Sequence, residues 1–448
     1  MQQVKIGLVG GGTVGSGVVR ALEHNGELMA SRLGIRLEVV KVAVRDPRKG
    51  RGDELPARLL TGDWKAVVHN PDVQVVVELI GGTTTAREVV LAALRHGKPV
   101  VTANKALLSA HGEELFAAAR DNNANLYYEA SVAGGIPIIK VLREALVGNR
   151  ILAMRGIVNG TCNYILTRMK LEGIDFAEAL REAQRLGYAE ADPTLDIDGH
   201  DAAQKTGILA SLAHGFWVQP REIHTEGIRN VTRMDIQFAA RLGYTIRLLG
   251  VVRTVAPERP APKGSRKKAA GPGIQVAVYP ALVPDSHVLA SVNHAFNAIA
   301  VRGDIVGETL FYGRGAGGDP TASSVLGDLA DAALDLKHGS HDRVPAFVPH
   351  HRGGRVVPMD TVTCRYYVRL AVLDRPGVFA RIASILARAG IGISSIIQPE
   401  GHEGEAVPVI LMIHDAPDGK VRKAMARVAK LPAVKGPPMM IRVEGAEG

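Results

Sequence analysis

The sequence predicts an α/β protein with an N-terminal doubly wound parallel sheet, a middle α+β region and a C-terminal α+β domain. Short apolar strands alternate with helical stretches to about residue 130, which is typical of β-α-β units. Beyond residue 363 the apolar segments follow the order β-α-β-β-α-β. Because the chain has 448 residues, 46% of them hydrophobic, it can bury more than one core, and we expect two or three domains.

The first predicted strand ends at Val9 and leads directly into a glycine loop with the spacing G-x-G-x-x-G. The first glycine allows a tight turn, the second lets the backbone approach a pyrophosphate, and the third permits close packing of the next helix. The N-terminus of that helix presents amides to the phosphates. An apolar strand before the loop and an apolar helix after it favour a Rossmann-like dinucleotide site over a simple turn. The glycines are Gly10, Gly12 and Gly15, and the helix begins at Thr13 or Val14.

The second predicted strand, residues 37–44, ends where such a domain contacts the adenosine ribose. Arg45 follows it directly, and a guanidinium fits a ribose 2′-phosphate, whereas a carboxylate there fits the 2′-hydroxyl of NAD. We therefore expect NADP(H) to be preferred. NAD(H) remains a candidate because Asp46 is adjacent, and a solvated basic loop is the alternative interpretation.

Two more β-α-β strands follow, over residues 73–80 and 99–102. Lys105 lies just beyond the carboxyl end of the second, the edge of a parallel sheet where ligands bind. We therefore interpret Lys105 as facing the nicotinamide or the substrate, and a plain surface lysine is the alternative. After it, residues 129–137 form a glycine turn with one carboxylate, Glu129. Oxygen ligands from this turn can hold a hard cation, but the residues alone favour an ordinary loop into the helix at Ile138.

A cluster of carboxylates precedes an apolar helix in the middle region. Asp196 and Asp201 come before Lys205, and the next eight residues are almost uncharged. Lys205 should therefore enter a buried element, where an ammonium needs carboxylate partners, and Asp201 is one helical turn earlier. A partly desolvated lysine beside carboxylates can exchange a proton with an alcohol or alkoxide. A helix N-terminus with a capping aspartate and a buried ion pair is the alternative interpretation.

The loops on either side of this helix also carry candidate residues. Gly187 ends a preceding amphipathic helix, and the loop after it brings Glu190 towards the lysine helix. Residues 313–318 form a second glycine loop before a helix near residues 320–338. We expect this loop to return to the dinucleotide and the helix to complete the Rossmann-like domain.

Composition excludes several classes of protein. Of the formal net charge of +9, a net +4 comes from a Pro/Gly-rich segment at 256–273, which we interpret as a solvated insertion between two strands. With 4% aromatic residues there are few stacking platforms for nucleic acid, so we expect no nucleic-acid partner. No apolar run approaches the roughly 18 residues of a membrane span. Two distant cysteines, Cys162 and Cys364, suit a reducing compartment, and we expect a cytoplasmic protein.

Taken together, these segments resemble the homoserine dehydrogenases. No aspartate kinase region precedes Met1, so the resemblance is to the monofunctional form. The matching segments are Gly10–Gly15, Thr102–Lys105, Glu129–Pro137, Asn159–Tyr164, Gly187–Pro193 and Asp196–Lys205.

The resemblance implies NAD(P)H-dependent, reversible reduction of L-aspartate 4-semialdehyde to L-homoserine, on the branch to threonine, methionine and isoleucine. It implies that Lys205 is the acid/base group, acting with Asp201 and Lys105, and that Glu190, Asp201 and Asp196 bind the amino acid. Lys105 also contacts the cofactor. It further implies a sodium site formed by Glu129 and the carbonyls of Val132, Gly134 and Ile136. The implied cofactor contacts are Gly10, Gly12, Thr13, Val14, Gly15, Arg45, Lys105, Gly187, Gly315, Gly317 and Gly318.

The C-terminal region resembles an ACT domain, a module that binds small amino acids and pairs with copies of itself. We expect it to be a separate unit whose removal leaves catalysis intact. The turn at 374–377 opens onto a helix N-terminus suited to an effector's carboxylate, with threonine the expected effector. Gly392 lies in a later turn, the Gly-Ile-x-Ile segment at 390–393, where related domains often have asparagine, and this departure leaves the effector's identity open. We expect a homodimer or homotetramer. The expected domains are 1–135 (cofactor), 136–320 (catalysis, substrate and dimerisation), 341–360 (linker) and 363–444 (ACT).

Two other functions compete with this one. A thiol-dependent semialdehyde dehydrogenase would use Cys162 as its nucleophile, but the neighbouring residues provide no base. A non-catalytic amino-acid sensor would keep the fold without the chemistry. The presence of Lys205, Asp201, Glu190 and Lys105 argues against the sensor.

Overall fold

The computed structural model describes residues 1–49, 55–255, 273–341, 343–351, 353–399, 402 and 404–445. The chain forms two compact units. The first consists of Met1–Leu152, Gln204–Pro220 and Asn297–Gly354, and the second of Ala153–Ala203, Arg221–Phe296 and Arg355–Gly448. Each unit is therefore assembled from separate stretches of sequence. The basic segment expected at 256–273 lies, up to residue 272, outside the described residues.

Strands and helices alternate through the first 150 residues. They are β1 (Gln2–Val9), α1 (Thr13–Leu33), β2 (Ile35–Ala43), β3 (Leu60–Thr61), α2 (Lys65–Val68), β4 (Val75–Glu78), α3 (Thr84–Arg95), β5 (Val100–Thr102), α4 (Lys105–Asp121), β6 (Leu126–Tyr127) and α5 (Ile138–Lys140).

The remaining elements include longer strands. They are β7 (Ile151–Ile157), α6 (Gly160–Glu172), α7 (Phe176–Arg185), α8 (Thr194–Ile197), α9 (His200–His214), β8 (His224–Thr225), α10 (Arg233–Arg241), β9 (Tyr244–Val255), β10 (Gly273–Pro284), β11 (Phe296–Gly303), β12 (Gly307–Arg314), α11 (Gly318–His338), β13 (Thr363–Leu373), α12 (Val378–Arg388), β14 (Ile393–Ile397), β15 (Ala406–Pro417), α13 (Asp418–Val428) and β16 (Met439–Val443).

The first unit contains a six-stranded parallel sheet in the order β3-β2-β1-β4-β5-β6. Its central strands are rich in buried valine, which is typical of a parallel sheet covered on both faces. In this sheet Val9 is level with Glu78, and Glu78 with Thr102. The loops after β1, β4 and β5 therefore meet at one edge, as the predicted doubly wound fold requires.

Helix α11 contributes to the core of this sheet although it begins at Gly318, far beyond the end of the last strand at Tyr127. Its buried residues Val325, Leu329 and Ala332 pack in one cluster with Val4 and Val18 of β1 and α1. Burying this apolar side of the helix against the sheet is favourable by about 25 cal/mol per Å² of apolar surface.

In the second unit the strands follow the order β7-β9-β10-β16-β13-β15-β14, with β8 beside β10. The hairpin strands β9 and β10 pair antiparallel along their whole length, from Tyr244 opposite Pro284 to Val255 opposite Gly273. The last four strands and two helices form the predicted β-α-β-β-α-β domain. Its strand order is β16-β13-β15-β14.

The predicted C-terminal domain is joined to the rest of the second unit by backbone pairing and by a buried ion pair. Strand β16 pairs in parallel with β10, with Ala281 opposite Arg442, so that one sheet runs through the catalytic and C-terminal parts of the second unit. Arg369 of β13 also donates to the buried carboxylate of Asp235 at 2.7 and 3.1 Å. Backbone pairing and buried charges, which the local sequence pattern does not reveal, join the domain to its unit.

The described part of the expected linker, residues 341–360, is packed rather than loose. In the first unit, Tyr128 donates to the Ala346 carbonyl at 2.6 Å, and Arg143 donates to the Pro345 carbonyl at 2.7 Å. The ring of Phe347 stacks on Phe116. The stretch around residues 345–347 therefore packs within the first unit instead of forming a free linker.

Candidate functional site

The glycine loop after β1 has the conformation that a dinucleotide site requires. Gly10 has a φ of 118°, a conformation that side chains rarely adopt. A Cβ on Gly15 would collide with the Gly10 carbonyl oxygen, whereas a Cβ on Gly12 would meet nothing within 4 Å. Since Gly12 is also the N-cap of α1, the open side of the loop faces the N-terminal amides of that helix.

The second glycine loop lies against the first. A Cβ on Gly318 would be 3.1 Å from Cγ2 of Thr13, the first residue of α1. Gly317 has a φ of 115°, and a Cβ on Gly315 would overlap the Asn297 amide. The structure therefore brings the two glycine loops together within the first unit, although some 300 residues separate them.

Arg45 lies two residues beyond the end of β2 and is exposed. Asp46 accepts a hydrogen bond from the Arg48 backbone at 2.9 Å, which ties its carboxylate to the turn. The guanidinium of Arg45 is therefore accessible to an anion at this strand end, whereas the Asp46 carboxylate already accepts a hydrogen bond.

Glu78, for which the sequence predicted no role, lies at the carboxyl end of β4 beside the strand ends that carry the candidate site. It is fully buried at the end of β4, where it accepts hydrogen bonds from the Thr102 hydroxyl at 2.7 Å and the Ile80 backbone at 2.9 Å. Burial raises the pKa of its carboxyl group. Asn104 donates to the Gly82 carbonyl and caps α4, whose first residue is the half-buried Lys105. This network fixes the ends of two neighbouring strands. In the sequence, the carboxylate of Glu78 at the end of a run of valines was the feature that could have indicated it.

The turn at Glu129 gathers oxygen atoms. The Glu129 carboxylate is buried and accepts from the backbone of Ile139 and Lys140 at 2.8 and 2.7 Å. Burial raises the pKa of Glu129 to about 7. The Gly134 carbonyl accepts from the Ser324 hydroxyl at 2.6 Å, and Gly134 packs against Gly315. Carboxylate and carbonyl oxygens can accept more than one contact, so this donor set fits a hard cation, which would also offset the cost of burying the carboxylate.

In the second unit, a buried asparagine joins two of the predicted substrate residues. Asn159 Nδ2 donates to Asp196 Oδ1 at 2.7 Å and to Asp201 Oδ2 at 2.9 Å. Both aspartates are half-buried. Asn159 belongs to one of the segments that resemble the family, but the sequence predicted no role for it.

Helix α9 carries both Asp201 and Lys205, one turn apart, as the sequence predicted. Lys205 is 8% exposed, so the predicted burial of its side chain is confirmed. A buried ammonium is strongly stabilised by negative charge near it. A lysine that follows a carboxylate by one helical turn is therefore suited to act as an acid or a base.

The loop that carries Glu190 is exposed. Gly187 has a φ of 77° just after α7, as predicted for a glycine that ends a helix. Gln184 donates to the backbone carbonyls of Glu190 and Ala191 at 3.1 and 3.3 Å. The backbone of this loop is therefore fixed, and the Glu190 side chain is accessible to a ligand.

Cys162 is fully buried, and its thiol donates to the Asp196 carbonyl at 3.1 Å. A nucleophile must reach its substrate, so this location argues against the thiol-dependent alternative. No helix among the described residues is long and apolar enough to span a membrane.

Comparisons with known proteins agree with this architecture. Residues 10–129 match the family model "Homoserine dehydrogenase, NAD binding domain", residues 137–330 match "Homoserine dehydrogenase", and residues 366–432 match "ACT domain". A curated homoserine dehydrogenase of Pseudomonas aeruginosa is 44% identical over 448 residues, covering 99% of each chain.

Solved structures give the same result. The crystal structure of a homoserine dehydrogenase from Thiobacillus denitrificans superposes with a TM-score of 0.90 at 44% identity, covering 99% of each chain. A hyperthermophilic archaeal homoserine dehydrogenase in complex with NADPH superposes with a TM-score of 0.61 at 29% identity, covering 75% of this chain and 98% of that one. The chain therefore belongs to the homoserine dehydrogenase family of oxidoreductases and combines an NAD-binding domain, a catalytic domain and an ACT domain.

Proposed function

We propose that this enzyme reduces L-aspartate 4-semialdehyde to L-homoserine, reversibly and with NADPH as its preferred reductant, in the pathway to threonine, methionine and isoleucine. The observation that carries this proposal is helix α9, which places the buried Lys205 one turn after Asp201. An aldehyde with an α-amino group needs both a proton donor at its carbonyl oxygen and negative charge at its ammonium group.

In the proposed mechanism, bound NADPH supplies a hydride to the aldehyde carbon. The Lys205 ammonium stabilises the negative charge that develops on the carbonyl oxygen and gives that oxygen a proton. Asp201, Asp196 and Glu190 hold the α-ammonium group and so orient the aldehyde. In the reverse direction, neutral Lys205 accepts the proton of the homoserine hydroxyl.

We assign Lys105 to the nicotinamide side of the site, where it contacts the cofactor. Its place at the start of α4, beyond the carboxyl end of β5, supports this assignment. Glu78 would then act indirectly, because it fixes the backbone of the neighbouring strand ends.

For the adenosine end we propose a preference for NADPH over NADH. The exposed guanidinium of Arg45 supports it, as does the turn hydrogen bond that occupies Asp46. The archaeal relative solved with NADPH adds support. The residues proposed to line the cofactor are Gly10, Gly12, Thr13, Val14, Gly15, Arg45, Lys105, Gly187, Gly315, Gly317 and Gly318.

We also propose that Glu129 and the carbonyls of Val132, Gly134 and Ile136 hold a sodium ion. The oxygen-only donor set and the buried carboxylate support this. Since the Gly134 turn packs on Gly315, the ion's role would be to fix the second glycine loop.

For regulation, we propose that threonine binds the ACT domain at the turn before α12. Gly377, with a φ of 81°, caps this helix of 11 residues, and Asp374 is half-buried beside its N-terminus. The helix amides suit a carboxylate, and Asp374 suits an ammonium group. Inhibition by millimolar threonine in the full chain, with binding lost in Asp374→Ala, is the expected result; an unchanged threonine response in that variant would place the effector elsewhere.

A homodimer or homotetramer is proposed as the assembly. Large apolar side chains at β12 support it, because a monomer rarely exposes such a group of residues to water. They are Ile305, Val306, Leu310 and Tyr312. We propose the cytoplasm as the location, which the two free cysteines fit.

The experiment that tests the main proposal follows oxidation of NADPH or NADH by its absorbance in the presence of aspartate semialdehyde. Turnover that needs the semialdehyde, and reverse turnover with homoserine, are the expected results. In a parallel assay with NADP+, aspartate semialdehyde and inorganic phosphate, phosphate-dependent formation of NADPH and of an acyl phosphate would identify the thiol mechanism instead.

A further inference from the structure

Asn159 lies between β7 and α6 and is 4% exposed. Its side-chain amide contacts two carboxylates from different segments, Asp196 at the end of α8 and Asp201 in the first turn of α9. These carboxylates are 37 and 42 residues away in sequence.

The orientation of the amide is fixed by its other end. Asn159 Oδ1 accepts the backbone N–H of Cys162 at 2.8 Å and so caps α6. Because the oxygen is used by the cap, the NH₂ group must face the carboxylates. Cys162 adds a second link, since its thiol donates to the Asp196 backbone carbonyl. The start of α6 therefore holds both the side chain and the backbone of Asp196.

Two neighbouring carboxylates repel each other, and one of them tends to take up a proton. A lysine or arginine between them would prevent this, but it would also neutralise the charge that attracts an ammonium group. An asparagine amide has two N–H donors and no net charge, so it holds one oxygen of each carboxylate and leaves both negative charges in place.

We infer that Asn159 is a positioning residue, which orients the carboxylates of Asp196 and Asp201 towards the substrate's α-ammonium group. This inference rests on the proposed substrate role of the two aspartates. Loss of Asn159's donors should therefore raise the KM for aspartate semialdehyde and for homoserine. It should affect cofactor affinity little, because the carboxylates do not serve the cofactor.

The test uses Asn159→Asp, which keeps an oxygen to cap α6 but replaces the NH₂ donor with a third carboxylate. We expect KM to rise by at least about tenfold, the scale for hydrogen bonds to charged groups, with kcat changed less than about threefold. KM should return towards the wild-type value as the pH is lowered, because a protonated carboxyl at this position regains a donor. A purely structural role would not produce this pH dependence.

Asn159→Ser is the matched variant, since a hydroxyl also caps the helix but is too short to reach both carboxylates. It should raise KM without the pH-dependent recovery, and it decides the question if Asn159→Asp does not fold. Asp201→Asn tests the underlying assignment. If Asp201→Asn raises KM but both Asn159 variants keep the wild-type KM, Asn159 is not a positioning residue, and the substrate role of the aspartates still stands. If Asp201→Asn itself leaves KM unchanged, the proposed substrate role of the aspartates fails.

Discussion

Arg442 of the last strand makes a bidentate ion pair with Glu226, with N–O distances of 2.9 and 3.0 Å. Arg442 is buried and also donates to Asp418, the first residue of α13, at 2.7 Å. One guanidinium therefore connects the ACT domain to the catalytic part of the second unit.

The segment that follows Glu226 packs on the loop between α8 and α9. Ile228 donates to the Ile197 carbonyl at 2.8 Å, and Arg229 pairs with Asp198 at 3.0 Å. A Cβ on Gly227 would overlap the same loop. A continuous series of contacts therefore connects Arg442 with the backbone between Asp196 and Asp201.

The first prediction concerns Glu226→Gln. Burial acts to raise the pKa of Glu226, but hydrogen bonds from His224 and Arg442 lower it to about 2. Because this pKa is below the ordinary value of 4.5, ionised Glu226 stabilises the fold above pH 4.5, and the contribution is lost as the pH falls towards 2. At pH 7 the free energy of unfolding of the variant should be lower by roughly 1–2 kcal/mol. This is less than the pKa shift alone would give, because the Glu226 side chain is partly exposed and solvent screens the interaction. Urea unfolding of both proteins at pH 7 and pH 3 should show this difference shrinking; a constant difference would contradict it.

The second prediction is that Lys205→Ala lowers turnover by at least about 100-fold, the usual scale for a general acid, with NADPH affinity nearly unchanged. Steady-state rates with aspartate semialdehyde and fluorescence titration of NADPH provide the two measurements. Lys420→Ala, at an exposed lysine of α13, is the control and should keep full activity. A Lys205→Ala enzyme with more than half the wild-type rate would remove this lysine from the mechanism.

The third prediction is that Arg45→Ala weakens NADPH binding by ten- to hundredfold and leaves NADH binding almost unchanged. A charge-assisted contact to a phosphate contributes about 1.5–3 kcal/mol. Titration of each cofactor into wild type and variant measures the change. Arg48→Ala is the matched control from the same exposed loop. Equal affinities of the wild type for the two cofactors would show that Arg45 does not contact the 2′-phosphate.

The fourth prediction replaces the expectation that truncation leaves catalysis intact. A chain ending near residue 355 would expose the edge of β10 and leave Asp235, which is fully buried, without Arg369 and Tyr367. Because the shortened chain loses these contacts and exposes a strand edge, we expect it to unfold at a lower temperature or to aggregate. In the full chain, where Asp235 stays buried, loss of its charged partner costs about 3–5 kcal/mol. The Arg369→Met variant of the full chain should lose free energy of unfolding on this scale. The double variant Arg369→Met/Asp235→Asn should lose less, because it has no unpaired charge at this position. A shortened chain with wild-type melting behaviour would contradict this account.

The fifth prediction concerns sodium. Exchange of sodium for choline at constant ionic strength should lower the melting temperature of the wild-type protein, because a bound cation stabilises only the folded state. In Glu129→Gln the same exchange should have a much smaller effect. Differential scanning fluorimetry in both salts measures this, and an identical sodium response in the two proteins would argue against the proposed ligand.

The sequence by itself determined the local structure of this protein. Alternating valine-rich strands and helices predicted the parallel sheet, the spacing of Gly10, Gly12 and Gly15 predicted the turn at α1, and Gly187 predicted the end of α7. The sequence also predicted that Asp201 and Lys205 lie one turn apart in an apolar helix. These features depend on backbone conformation and on contacts within about four residues, so the pattern of neighbouring residues carries them.

The tertiary structure alone decided which distant groups meet. It brought the loop at Gly318 against Thr13, the amide of Asn159 between Asp196 and Asp201, and Arg442 onto Glu226, 216 residues away. It also paired β16 with β10 and so made the ACT domain continuous with its unit. A buried polar group must find a partner, but nothing in the local sequence specifies which one, because the partner is chosen by how the elements pack and not by the residues beside it.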